Sequence, residues 1–134
     1  MLSKLAGNLS LFVLVAAVGV SQAIGLPRTA WAGEADVVDA VASRAGDGSW
    51  RFDVTVRHDD EGWNHYADRW EVLDPASGKV LATRTLAHPH EHEQPFTRSL
   101  GGVELPPELR EVTIRARDSE HGYGGVEVVL TLPE

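Results

Sequence analysis

Residues Ser49–His58 read SWRFDVTVRH. Trp50, Phe52, Val54 and Val56 alternate with Arg51, Asp53, Thr55 and Arg57. An extended chain sends successive side chains to opposite sides, so the four apolar residues share one face, turned to a core. A helix would scatter them around its axis. His58 keeps the same beat and is expected to point inward just past the strand end.

The rest of the chain repeats this pattern. In ADRWEVLD (67–74), Trp70 and Val72 oppose Arg69 and Glu71. EVTIRARD (111–118) sets Val112, Ile114 and Ala116 against Glu111, Thr113, Arg115 and Arg117. VEVVLTL (126–132) puts Val126, Val128, Leu130 and Leu132 on one side. Three further strands are expected over residues 35–44, 79–87 and 96–100, the last short and at an edge. AGDGS (45–49) and DPASG (74–78) carry turn chemistry, and the two prolines of GGVELPPEL (101–109) exclude a central strand there. Seven short strands with regular turn signals predict an all-β fold, a seven-stranded immunoglobulin/fibronectin-III-like sandwich.

The amino terminus reads as a signal peptide over residues 1–32. Lys4 precedes the apolar run LSLFVLVAAVGV (9–20), and TAWA (29–32) presents Ala30 and Ala32 to signal peptidase. Cleavage is expected after Ala32, with Ala23 as the alternative site. The apolar run is shorter than a spanning helix needs, so no membrane span is expected in the mature chain. No cysteine follows it, so no bacterial lipoprotein anchor is expected either. The mature domain is then 33–134, periplasmic or secreted.

The chain has 12 basic and 20 acidic residues, a formal charge of −8. Lys4 and Arg28 leave with the signal and no acidic residue does, so the mature charge becomes −10. Such a surface repels phosphate backbones and anionic lipid, which excludes nucleic acid as a partner. Cysteine is absent and the single methionine is Met1, so thiolate or thioether binding of Cu(I) is excluded.

Six histidines carry the chemical signal. In a sandwich of this kind the B–C, D–E and F–G loops gather at one pole. His58 and His65 lie at the B–C loop, His88, His90 and His92 in the D–E loop, and His121 in the F–G loop. All six therefore share one pole. The tract HPHEHE (88–93) spaces three imidazoles at every second residue, which in extended chain puts them on one side. His58, His65 or His121 would complete a set around one ion, with Asp59, Asp60, Glu91, Glu93, Asp118 and Glu120 as ligands, imidazole acceptors or attracting charge.

The tracts WNHYADRWEV (63–72), HPHEHEQPFTRSL (88–100) and RARDSEHGYGG (115–125) resemble a group of small, exported, uncharacterised bacterial β-sandwich proteins, over roughly Trp50 to Leu132. The resemblance implies fold and export and carries no activity. The expected function is an exported metal-binding module for Cu(II) or Zn(II), with the metal ion as its partner. The alternative is an accessory module that contacts an envelope protein through the same pole, with histidine as a pH response. No nucleophile elbow or phosphate loop is present, and the chain is not expected to be an enzyme.

Overall fold

The computed structural model describes residues 33–134; the expected signal peptide, 1–32, lies outside the described residues. All seven expected strands form: β1 (Asp36–Arg44), β2 (Trp50–Arg57), β3 (Ala67–Leu73), β4 (Val80–Thr85), β5 (Phe96–Val103), β6 (Glu111–Asp118) and β7 (Val128–Thr131). They make two antiparallel sheets, β1-β2-β5 and β4-β3-β6-β7. The fold is all-β, and no helix among the described residues is long and apolar enough to cross a membrane.

The alternation of β2 is realised as expected: Trp50, Phe52, Val54 and Val56 are buried, and Arg51 and Arg57 are exposed. Across from them β3 contributes Trp70 and Val72, and β6 contributes Val112, Ile114 and Ala116. These residues form one apolar cluster shared by both sheets. Its burial is the main driving force for the fold.

Local chemistry sets the register. In the β1–β2 turn, Asp47 Oδ1 accepts from the Ser49 amide at 2.9 Å, and Gly48 takes φ +88°. In the β3–β4 turn, Asp74 Oδ1 accepts from the Ala76 amide at 2.9 Å while the Gly78 amide donates to the Asp74 carbonyl at 2.8 Å.

Two strands depart from the sequence pattern. β5 runs to Val103 instead of stopping at Leu100, because a register shift lets Val103 pair with Trp50. β7 begins only at Val128, and Val126 is 42% exposed. There the chain turns to β1 instead: the Val37 amide donates to the Val126 carbonyl at 2.9 Å. Glu71, expected to face outward, is buried, paired with the Tyr123 hydroxyl and lying 3.6 Å from Arg115.

Antiparallel pairing puts the start of β1, the end of β2 and the end of β6 at one pole. The β2–β3, β4–β5 and β6–β7 connections meet there, and the three hairpins or crossovers at 45–49, 74–79 and 104–110 lie at the other.

Phe52→Ala removes a fully buried ring and is expected to cost about 3–5 kcal/mol. Val129→Ala, at a 63% exposed position, is expected to stay within about 0.5 kcal/mol. Urea unfolding of both variants checks the pair.

Candidate metal centre

Two strands of opposite sheets end in polar residues that keep the apolar beat. His58, one residue past the end of β2, continues the inward beat of Val56, and Asp118, the last residue of β6, continues that of Ala116. Both are buried, Asp118 with no exposure at all. The core is thus closed at this pole by an imidazole facing a carboxylate.

Asp118 uses its two oxygens differently. Oδ1 accepts from the amides of Glu120 at 2.8 Å and His121 at 2.6 Å. Oδ2 is in close contact with His58 Nε2 and lies 2.7 Å from His65 Nε2. Neither contact has hydrogen-bond geometry, so this buried oxygen has no hydrogen-bond partner among the described residues. An unpaired buried carboxylate oxygen is costly, and two ring nitrogens crowd against it off axis. His58, His65 and Asp118 each offer one ligand atom within 4.8 Å of the others. Ligands ~2.0–2.2 Å from one tetrahedral cation stand roughly 3.3–3.6 Å apart, so both rings would draw back from Oδ2 to admit one.

Asp60 supports the group from behind. It accepts from His58 Nδ1, from the Ala67 amide at 2.9 Å and from the His90 amide at 2.6 Å. Donation from Nδ1 to a carboxylate leaves Nε2 to ligate and makes the ring a better donor. His65 is held by its own turn: Gly62 takes φ +86°, and the Glu61 amide donates to the His65 carbonyl at 2.8 Å. The Tyr66 amide donates to Ser119 Oγ at 3.0 Å, which ties the β2–β3 loop to the end of β6.

His121 joins from the β6–β7 loop. Its Nδ1 lies 3.1 Å from Asp118 Oδ1, and its ring centroid is 5.0 Å from that of His65. A second group, His65, Glu120 and His121, also has ligand atoms within 4.8 Å of one another, nearer the surface.

The 88–92 tract converges only in part, with the His88 and His90 ring centroids 4.5 Å apart. His90 is buried and stacks on Phe96, with centroids 3.9 Å apart, while His88 and His92 are exposed. The segment is not extended, because the His90 amide docks on Asp60 and its carbonyl accepts from Gln94 Nε2 at 3.0 Å. His90 Nδ1 is 3.9 Å from Asp60 Oδ2, one residue removed from the His58–Asp118 contact. Of the six expected ligands, His58, His65 and His121 gather around Asp118, and His88, His90 and His92 stand outside that group.

The electrostatics follow the geometry. Burial disfavours the charged rings of His58 and His65. For His58 this is outweighed by Asp60, Asp118 and the Gly33 carbonyl, and for His65 by Gly33, Asp118 and Glu61, so both pKa values rise above 6.5. Burial would lift Asp60 and Asp118. The hydrogen bonds from His58, His90 and Ala67 to Asp60, and from the His121 and Glu120 amides to Asp118, prevail and hold both below 3.8. His90 is held below 6.5, by burial first and then by Arg98 and His88.

For His58 and His65 the raised values mean that their stabilisation is full below pH 6.5 and is lost as pH climbs through the folded pKa. The two aspartates contribute above 3.8 and lose their contribution only in acid. His90 weakens the fold only below 6.5. The metal-free protein is therefore expected to melt at a lower temperature as pH is raised above about 6.5. His65→Gln should flatten that slope in a calorimetric pH series.

One relative places the chain among known proteins. Over 97 residues, 72% of this chain, it is 42% identical to a Halomicrobium mukohataei protein described as "Putative lipoprotein". The match covers 47% of that protein, so the chain spans about half the length of the relative. No protein-family model and no solved structure matches the chain.

Proposed function

We propose that this is an exported metal-binding module that holds or delivers a divalent ion, Cu(II) or Zn(II), through His58, His65 and Asp118. The observation that carries it is Asp118 Oδ2: fully buried, without a hydrogen-bond partner among the described residues, and crowded by two imidazole nitrogens, of which that of His58 is held by Asp60 from behind. A cation among the three atoms, with the two rings drawn back from Oδ2, would replace that crowding with coordination. Two imidazoles and one carboxylate without sulfur suit Zn(II) and Cu(II), and the Irving–Williams order favours Cu(II). His121 is the nearest further imidazole, and the acidic surface raises the local cation concentration.

In the same proposal the domain is an immunoglobulin/fibronectin-III-like sandwich. Its support is the division into three and four strands around one core, with β4 pairing beside β3. That placement departs from constant-type immunoglobulin domains, where the fourth strand joins the first two. Export is supported by the leader-like residues 1–32 and by the name of the relative. The role is binding, not turnover.

Zn(II) or Cu(II) at a hundredfold excess over Kd is expected to add about 2.7 kcal/mol, or roughly 10 °C in melting temperature. His58→Ala or His65→Ala should abolish the shift, and His88→Ala with His92→Ala should leave it intact. The shift should grow with pH, since bound metal displaces the ring protons. Equal melting curves with and without either metal would overturn the proposal.

A second reading has one observation in its favour. Trp63 is 67% exposed beside Tyr66, with ring centroids 5.7 Å apart, on the loop that carries His65. Exposed aromatics of this kind are common anchors for protein partners. An envelope protein captured in the presence of chelator, and lost with Trp63→Ala, would support an interaction module instead.

A further inference from the structure

Gly33 precedes β1 and is buried at the histidine pole. Its carbonyl oxygen lies 3.1 Å from His58 Nε2, 3.4 Å from His65 Nε2 and 2.9 Å from His121 Nδ1, all with hydrogen-bond geometry. Three imidazoles from three different segments thus aim at one oxygen. A carbonyl has two lone pairs and cannot satisfy three N–H donors well. Three ring nitrogens with a carbonyl and a carboxylate oxygen at their focus form a donor set for a cation.

A side chain at this focus would push the His121 ring aside. A Cβ on Gly33 would stand 2.7 Å from His121 Nδ1 and 3.0 Å from its Nε2. Gly33 also directly follows the cleavage site read from TAWA (29–32). Hydrolysis of the Ala32–Gly33 bond consumes one water, leaves a carboxylate on the leader and frees the Gly33 α-amine on the domain. That nitrogen and the Gly33 carbonyl oxygen are separated by two carbons, the spacing of a five-membered chelate ring.

We infer that export processing completes the metal centre: the α-amine and carbonyl of Gly33 join His58, His65 and Asp118 as ligands, so that only the cleaved chain binds its ion at full strength. This rests on the metal-binding reading above. It adds that the uncleaved precursor is a weak binder, which would keep the site idle until the leader has been removed.

The test uses chain 33–134 in two forms, one starting at Gly33 with a free amine and one extended by Ala32. Neither has histidine at its third position, so an amino-terminal copper motif does not confuse them. Calorimetric titration with Cu(II) is expected to give an affinity about 10–100-fold higher for the free-amine chain. Nα-acetylation should reduce it to the level of the extended chain, and His65→Ala should weaken both. The copper electron paramagnetic spectrum should show one nitrogen ligand fewer once the amine is blocked. Equal affinity and equal spectra for the two forms would overturn the inference and leave the three-side-chain centre standing. Binding by neither form would overturn both. Intact mass of the exported native protein should begin at Gly33, and a start at Ile24 would overturn the inference directly.

Discussion

The pole of this domain depends on where the Asp118 carboxylate sits. It has no solvent exposure, occupies the last inward position of β6, and faces His58, the residue just past the end of β2 in the other sheet. A charge taken out of water must be met by charge or by hydrogen bonds. One oxygen is met by two backbone amides, and the other faces imidazoles alone. The three connections of the pole are arranged around that requirement: Asp60 turns His58, the Gly62 turn carries His65, and the Gly122 turn (φ +74°) presents His121.

The same protein contains a contrasting case. Glu71 is also a buried acid, 4% exposed, but Tyr123 donates to it and Arg115 lies beside it and over the Tyr123 ring. Tyr123 and Arg115 offset the Glu71 charge, although Arg115 Nε has no hydrogen bond among the described residues, and the group reads as structural. At Asp118 the neighbours are groups that ligate metals when deprotonated, and Oδ2 accepts no hydrogen bond among the described residues. Burial alone does not distinguish the two sites; the identity and direction of the partners do.

His90 shows why the most conspicuous histidine tract does not join the His58–His65–Asp118 group. Its spacing promises three rings on one side only if the chain is extended. Asp60 instead captures the His90 amide, Phe96 captures its ring, and His88 and His92 are left in solvent. A tract of alternating histidines is a local pattern, whereas convergence on an ion is a long-range property set by loops that meet from two sheets.

What the sequence determined by itself was the part governed by short-range periodicity: the strand content, the apolar faces of β2, β3 and β6, the turns at Asp47 and Asp74, and the common pole of the histidines. The inward phase of His58 was legible in the beat of Trp50 to Val56, and that of Asp118 was available in the same way from Val112, Ile114 and Ala116. Tertiary structure alone decided which rings share a neighbour, that Asp60 stands behind His58, that Glu71 turns inward, and that the Gly33 carbonyl reaches three histidines. Those contacts join residues up to 88 positions apart. Period-two alternation assigns a side chain to a face, but only the packing of one sheet on the other sets how far apart two facing side chains lie.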